Sequence, residues 1–563
     1  MLTLRVKKLL CNKKILEGKY MKAKKIKQII AVAASTMMIT SLFTVSAFAV
    51  GGSFDKTKTK GTVKITDSQN TNATYEAYKV LDATPSGNDY TYAVTSDFSS
   101  IIGDGKAYKI EGGNIKRTDG KALDSATLAN DLAKVAVTNG LTGIDLKGDE
   151  SLNDLPLGYY VVLETDADDP GYVQKTPILL AVPYVEGEGT SKTFDYAKEL
   201  TVTSKYNIPK VDKDIVVAAG KKDATDATKV GEIDMTDSST DVVDANSAEI
   251  GDTVTYVVES DVPTYSGAYK DEKVKYILRD TLDTGLTFKT DTLKVYGYVT
   301  TTGTWEEVAT DAYVPTTADN AITVDFTGKY GSIKKYSKIR LKYDATLNEN
   351  AKVGGGANNN KIELDYSNKH TDESSVKTEE DKVQTYTYGI GVIKVNNENK
   401  TEKLADAQFK IKDKEGIYMV NPNPVTGLEN TIFVTGSDGE IKVAGLKEGT
   451  YIFEEVKAPE GYVTPANNQT TVKITITGTD YANPSYEVNG VAVTNTDDTT
   501  VNVIGQVGKT DTDTGIKAVV TNVKGVNLPV TGGAGTWMFT IGGLTLMAGA
   551  TIVFVSTKKK RIK

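Results

Sequence analysis

The sequence predicts an all-β chain built as β-sandwiches in series. Three observations predict this. Apolar and polar residues alternate at period two in "ILLAVPYV", "GDTVTYVVES", "TLKVYGYV" and "TTVKITIT", as they do where one strand face is buried. Gly, Asn and Asp punctuate these runs, so the strands are short and bounded by turns. Several such strands recur in every stretch of about 130–180 residues, without a tandem repeat, which is the texture of successive sandwiches. One helix is expected, in "DSATLANDLAKVAVTNG". Asp124 or Ser125 caps it, Leu128, Leu132 and Val135 form its apolar face, and Asn139-Gly140 end it.

The two ends differ from the body. From Met21 the chain reads as basic residues, an apolar stretch, and then Ala47-Phe48-Ala49, the small-x-small pattern of a signal-peptide cleavage site. Residues 1–49 are thus expected to be a leader, with translation starting at Met21, because Glu17-Gly18 reads like a ribosome-binding sequence translated by mistake. At the other end, Thr536 to Thr557 is long enough to cross a hydrocarbon core of about 30 Å as a helix. Lys558, Lys559, Lys560, Arg561 and Lys563 follow it and would stay on the cytoplasmic side, leaving the body outside the cell. Leu528-Pro529-Val530-Thr531-Gly532 precedes this span.

The formal charge of the whole chain is −8. The leader carries ten Lys and Arg against one acidic residue, and the tail from Gly532 carries five against none, so the body from Val50 to Thr531 stands at −22. Such a body repels nucleic acid and anionic membranes. The one cysteine, Cys11, lies in the leader, so an exported product has no disulfides and needs another means of stabilisation. His370, the one histidine, lies in the polar stretch "SNKHTDES", which argues against a Ser-His or Cys-His nucleophile pair, and a single histidine makes no His-rich metal site. "DFSSI" at Asp97 and "DSSTD" at Asp237 each break an Asp-x-Ser-x-Ser metal motif at its last position, and "KTDTDTG" lacks the ligand run of an EF-hand. No cofactor and no metal are expected.

Ionisable residues inside apolar rows carry the chemistry. In "GTYIFEEVKAPEGYV", Tyr451, Phe453 and Glu455 share a strand face, where a carboxyl group tends to keep its proton. In "GIGVIKVNN", Lys394 is in parity with Ile390 and Val392, and in "IKAVVTNVKG", Asn522 is in parity with Ala518 and Val520. The middle region offers a similar set. Lys213 shares a face with Val211 and Ile215, with Asp212 and Asp214 opposite; Asp252 shares one with Ile250, Val254 and Tyr256. Asn360 and Asn368 both lie in phase with Ile362, Leu364 and Tyr366, and parity does not separate them.

The pentapeptide at Leu528 resembles the Leu-Pro-x-Thr-Gly sorting signal of Gram-positive surface proteins, and the string around Glu455 resembles the E-box of Gram-positive pilins, Tyr-x-Leu-x-Glu-Thr-x-Ala-Pro-x-Gly-Tyr. Tyr451, Glu455, Ala458, Pro459, Gly461 and Tyr462 match, while Phe453 and Val456 replace Leu and Thr. The chain therefore resembles a sortase-assembled backbone pilin. The resemblance implies immunoglobulin-like sandwiches: an N-terminal pilin domain over 50–202, a domain like the collagen-adhesin A type over 203–386, one like the B type over 387–526, and a sorting signal over 527–563. It also implies Lys394–Asn522 and Lys213–Asn360 (alternatively Asn368) isopeptide bonds, promoted by Glu455 and Asp252. The first region carries an E-box-like string around Glu164, with Asp169-Pro170 in place of the Ala-Pro step. It has Lys64 on a first strand but no matching Asn, so no bond is expected there, and Glu164 is read as a structural residue at a strand end.

In this family a sortase thiolate attacks the Thr carbonyl, here that of Thr531, releases the tail from Gly532, and passes the acyl group to an amine. Leu528 and Pro529 complete the recognition motif. "ELTVTSKYNIPKVDK" offers Lys205, out of phase with Leu200 and Val202 and hence outward, or alternatively Lys210. The partners implied are identical subunits, pilin and housekeeping sortases, ancillary tip and base pilins, and peptidoglycan, possible host surfaces, and no nucleic acid. The expected place is the outer surface of a Gram-positive cell wall. A wall-anchored adhesin built from the same modules is the rival reading, and 482 residues leave no room in it for an extra adhesive domain.

Overall fold

A computed structural model describes residues 53–67, 73–166, 173–174, 177–187, 192–202, 206–218, 241–318, 320–463, 471–493, 501–502, 516–525 and 535–559. The leader, Cys11, Asp237, the Lys509–Gly515 turn and the Leu528–Gly532 pentapeptide lie outside the described residues. The chain divides into two compact units, Met1–Asn207 with the short segments Tyr265–Lys270 and Lys369–Thr371, and the remainder.

In the first unit, β1 (Lys60–Asp67) runs parallel to the strand Ala197–Val202 and antiparallel to Ser151–Pro156. The facing sheet is built around β2 (Thr74–Ser86) and β3 (Gly158–Asp166). Val63, Ile65, Tyr75, Tyr160 and Val162 fill the space between the sheets. The helix α1 (Ser125–Thr138) closes the outer face of the second sheet. Asp124 caps it, its side chain accepting from the Thr127 N–H. The buried face is Leu128, Ala129, Leu132, Ala133 and Ala136, with Val135 only half-buried. The face is thus turned from the expected one toward the alanines, whose small side chains let the helix lie close to the sheet.

The second unit holds two sandwiches. In the middle one, β4 (Val211–Ala218), β5 (Thr253–Asp261) and β7 (Lys338–Leu347) are successive neighbours in a seven-stranded sheet. Across the core lies a six-stranded sheet containing β6 (Tyr276–Leu282), β8 (Asn358–Ser367) and β9 (Val376–Tyr386). In the C-terminal sandwich, β10 (Tyr388–Asn396) lies between β11 (Glu440–Leu446) and β13 (Ile516–Lys524), and is parallel to β13. The facing sheet is centred on β12 (Gly449–Lys457). Because β10 has a neighbour on each edge and cover on both faces, all nine of its residues are buried.

One residue, Thr387, separates β9 from β10, and the two sandwiches are fastened beside this crossing. The Ile250 N–H donates to Gly445 O at 2.8 Å, and the Glu448 N–H donates to Ser247 Oγ at 3.0 Å. Lys447 Nζ lies 3.0 Å from Asp252 Oδ2 and 3.7 Å from Glu249 Oε2.

The last described element is the helix α2 (Gly535–Lys559), whose Ile541, Leu544, Leu546, Ile552 and Phe554 are exposed. Among the described residues no helix is long and apolar enough to cross a membrane. The span expected over Thr536–Thr557 therefore remains a proposal.

Gly445 tests the junction. Its φ is +81°, and a Cβ there would lie 2.5 Å from Ile250 Cδ1 and 2.8 Å from Cγ1. Gly445→Val is expected to destabilise the second unit by about 2 kcal/mol through strain and overpacking, read as a lowered midpoint in urea unfolding.

Candidate functional sites

The C-terminal sandwich brings Lys394, Glu455 and Asn522 to one point inside its core. Lys394 extends the inward row of Ile390 and Val392 on β10, and Asn522 extends that of Ala518 and Val520 on β13. Glu455 comes from the opposite sheet, beyond Tyr451 and Phe453 on β12. Lys394 Nζ and Asn522 Nδ2 each lie 3.3 Å from the same oxygen, Glu455 Oε2. Asn522 Nδ2 also donates to Val463 O at 3.2 Å. The side chains of Lys394 and Glu455 expose nothing to solvent.

Burial dominates the charge state of this pair. It lowers the Lys394 amine to about 8, against the opposing pull of the Glu455 carboxylate. It raises the Glu455 carboxyl above its ordinary value, with Lys394 and Asn522 acting in the other direction. An ion pair removed from water loses hydration that its attraction only partly restores, so burial pushes both groups toward their neutral forms. The amine is thereby easier to deprotonate and the acid harder to ionise.

The middle sandwich has a second cluster of this kind. Lys213 on β4, Asp280 on β6 and Asn360 on β8 are fully buried. Lys213 Nζ donates to Asp280 Oδ2 at 2.5 Å and to the Tyr343 hydroxyl at 2.8 Å, and it lies 5.0 Å from the Tyr256 and Tyr343 ring centres. Asn360 Nδ2 donates to the same hydroxyl at 2.6 Å. Burial lowers the Lys213 pKa and raises that of Asp280. In both clusters the Asn Oδ1 and one carboxyl oxygen, Glu455 Oε1 or Asp280 Oδ1, are buried without a hydrogen-bond partner among the described residues. Each such atom costs about 1–3 kcal/mol. A protonated acid turned toward the amide oxygen would satisfy both.

The acid of the middle cluster corrects the sequence reading. Asp252 does not reach Lys213: it lies one residue before β5, after a turn at Gly251 with φ +98°, and pairs with Lys447 at the junction. Asp280 takes the place expected for it. The missed signal was present, since Asp280 interrupts the buried row of Tyr276, Leu278 and Leu282. Of the two asparagines, Asn360 lies in the cluster. Asn368 instead accepts from Ser375 Oγ at 2.7 Å.

Lys210 is exposed and pairs with Glu379 Oε2 at 2.9 Å. Lys205, Leu528, Pro529, Thr531 and Gly532 lie outside the described residues. In the first unit, Lys64 faces outward and pairs with Glu199 at 3.2 Å, while Glu164 is buried near the end of β3 opposite Tyr75. Among the described residues no group of acidic, His and Cys side chains is arranged to hold a metal ion.

The lowered amine pKa has a pH signature in an Asn522→Ala variant, where the Lys394 amine has no Asn522 amide to attack. The unfolded lysine binds a proton up to about pH 10 and the folded one only to about 8, so the unfolded state holds more protons between these values. Stability therefore rises with pH across this window. Between pH 8 and 9.5 the variant should gain about 1.5 kcal/mol in urea unfolding relative to Asn522→Ala/Lys394→Met. Parallel pH profiles would contradict the assignment.

Comparison with known proteins places these sites in context. Residues 389–487, which hold Lys394 and Glu455, match the SpaA prealbumin-like fold domain, and residues 521–561 match the LPXTG cell wall anchor motif. The trypsin-resistant surface T6 protein of Streptococcus pyogenes serotype M6 is 24% identical over 378 residues, covering 62% of this chain and 63% of that protein. The match thus spans less than two thirds of that relative's length. Among solved structures, the T6 backbone pilin of S. pyogenes is 19% identical with a TM-score of 0.48, covering 83% of this chain and 99% of that one. The major pilin SpaD of Corynebacterium diphtheriae is 17% identical with a TM-score of 0.43, covering 84% and 99%. The chain thus carries a SpaA-type prealbumin-like domain and the LPXTG anchor motif of proteins held on a Gram-positive cell wall.

Proposed function

We propose that this chain is the backbone subunit of a covalently polymerised surface pilus, and that its middle and C-terminal sandwiches are each closed by a Lys–Asn isopeptide bond. The observation that carries the second part is the paired arrangement: twice, a buried amine, a buried Asn amide and a buried carboxyl group share one cluster, joined through Glu455 in one and through Asp280 and the Tyr343 hydroxyl in the other.

The chemistry follows from that geometry. A neutral Lys394 or Lys213 amine attacks Cγ of Asn522 or Asn360, and the protonated Glu455 or Asp280 polarises the amide carbonyl. The new Nζ–Cγ bond forms, Cγ–Nδ2 breaks, and a proton from the amine leaves with Nδ2 as ammonia. The acid recovers its proton, and no cofactor takes part. Packing supplies the proximity that makes an amide reactive toward an amine.

The mechanical argument joins the two parts. Net hydrogen bonds of about 1 kcal/mol each are broken one after another when a strand is pulled. In the C-terminal sandwich the cross-link would tie the first strand to its parallel neighbour, the last. Tension entering at β10 would leave through β13 without loading the rest of the domain. Lys394 and Asn522 are 128 residues apart, so closure also removes unfolded-chain entropy, by analogy with disulfides about 5 kcal/mol. Subunits would be joined through Thr531 to Lys205, or alternatively Lys210, of the next copy by a pilin sortase. The last Thr531 would pass to peptidoglycan through a housekeeping sortase, with ancillary pilins at tip and base.

Intact mass spectrometry checks the internal bonds. The full chain should weigh two ammonia molecules, about 17 Da each, less than its formula. Glu455→Ala should restore one of them and Asp280→Ala the other, whereas Asp252→Ala should restore neither. A parent chain at its formula mass would refute the bonds. For polymerisation, Lys205→Ala should abolish the SDS-resistant ladder formed with a pilin sortase, and a ladder that persists in Lys205→Ala but not in Lys210→Ala would move the acceptor to Lys210.

A further inference from the structure

The two clusters solve the same problem with acids of different reach. Glu455 contacts both reacting groups, since Lys394 Nζ and Asn522 Nδ2 share its Oε2. Asp280 is one methylene shorter and contacts Lys213. The nitrogen of Asn360 is instead directed at the Tyr343 hydroxyl. Tyr343 lies on β7, fully buried, with its ring held between Tyr256 at 5.4 Å and Phe288 at 5.5 Å. Its oxygen accepts from Lys213 Nζ at 2.8 Å and from Asn360 Nδ2 at 2.6 Å, which occupies both lone pairs. The Asp280 carboxyl shares the Lys213 amine with it. Among the described residues no tyrosine hydroxyl hydrogen-bonds Lys394 or Asn522.

We propose that Tyr343 is a catalytic residue of the middle sandwich, its hydroxyl spanning the gap that the short Asp280 side chain leaves to the Asn360 nitrogen and relaying a proton between the two nitrogens. This rests on the reading that Lys213 and Asn360 become linked. As Nζ bonds to Cγ, the Asn360 nitrogen regains its lone pair and the hydroxyl turns to donate to it, so that one Nζ proton passes to the Tyr343 oxygen while the hydroxyl proton passes to Nδ2. Cγ–Nδ2 breaks, ammonia departs, and Tyr343 ends with one proton as it began. Burial and the neighbouring Asp280 raise the Tyr343 pKa well above its usual value, so the hydroxyl enters the reaction protonated. The C-terminal sandwich needs no such relay, because Glu455 reaches both nitrogens unaided.

Tyr343→Phe in the full chain tests this, since it removes the hydroxyl and keeps the ring. Peptide mapping follows the Lys213–Asn360 and Lys394–Asn522 links separately over time after synthesis. The Lys213–Asn360 link is expected to form about a hundredfold more slowly or not at all, while Lys394–Asn522 forms at the parental rate in the same molecules. Incorporation of 3-fluorotyrosine at 343 keeps shape and hydroxyl but lowers the phenol pKa. It should restore the link and shift its pH–rate profile downward, which restored packing alone would not do. Formation of Lys213–Asn360 in Tyr343→Phe at the parental rate overturns the role of Tyr343 and leaves the bond itself standing. Absence of that link from the parent overturns both.

Discussion

Each sandwich of the second unit contains a lysine amine that water cannot reach, set against a carboxyl group that water cannot reach either. Charged, such a pair would be costly to hold in an apolar core, because lost hydration exceeds the attraction recovered. Neutral, it is a nucleophile beside an acid. The same burial that makes these lysines poor structural residues would, on the proposed chemistry, make them reactive, and the strands that bury them also hold the amide each would attack. The bare oxygens in both clusters, one on the amide and one on the acid, belong to this condition. They are costs of an unreacted core that amide exchange and the accompanying proton movements can relieve.

The architecture serves the same end. β10 and β13 are parallel neighbours, so Lys394 and Asn522 lie close although the entire domain separates them in sequence. In the middle sandwich, Lys213 sits in one sheet while Asp280 and Asn360 sit in the other, and a bond there would staple the two layers. At the junction, Asp252, Glu249 and Lys447 pair across the crossing from β9 to β10, and Ile250 rests on Gly445. A half-exposed ion pair of this sort contributes little by itself. The closely seated Ile250 and two backbone-donated hydrogen bonds give the junction its definition. Under the proposed linkage, a chain whose one cysteine is Cys11 would carry its strongest internal restraints where a pulled filament would need them.

Much of this was legible in the sequence, because period-two alternation reports which face of a strand is buried. It placed Lys394, Glu455, Asn522, Lys213 and Asn360 in apolar rows, and the rows proved to converge. Alternation reports the face and not the depth. Asp252 has the parity of Val254 and Tyr256, but it stands ahead of the strand beside a glycine turn, where the sandwich opens. Asp280 has the same parity signal from Tyr276, Leu278 and Leu282 and stands mid-core. Alternation alone does not distinguish them, since depth depends on which strand of the other sheet lies opposite. Tyr343 was hidden for a related reason. A tyrosine in an apolar row reads as packing, and the work of its hydroxyl appears only when Lys213 and Asn360 are seen to share it. The helix illustrates the limit for packing, since its face settled on Ala129, Ala133 and Ala136, where close approach outweighs side-chain size.

The most direct measurement of the central claim is a high-resolution crystal structure of the exported chain. The account predicts continuous electron density from Lys394 Nζ to Asn522 Cγ and from Lys213 Nζ to Asn360 Cγ, planar and at an amide length of about 1.33 Å. Density that ends separately on each lysine and each asparagine, at hydrogen-bonding distance, would contradict it.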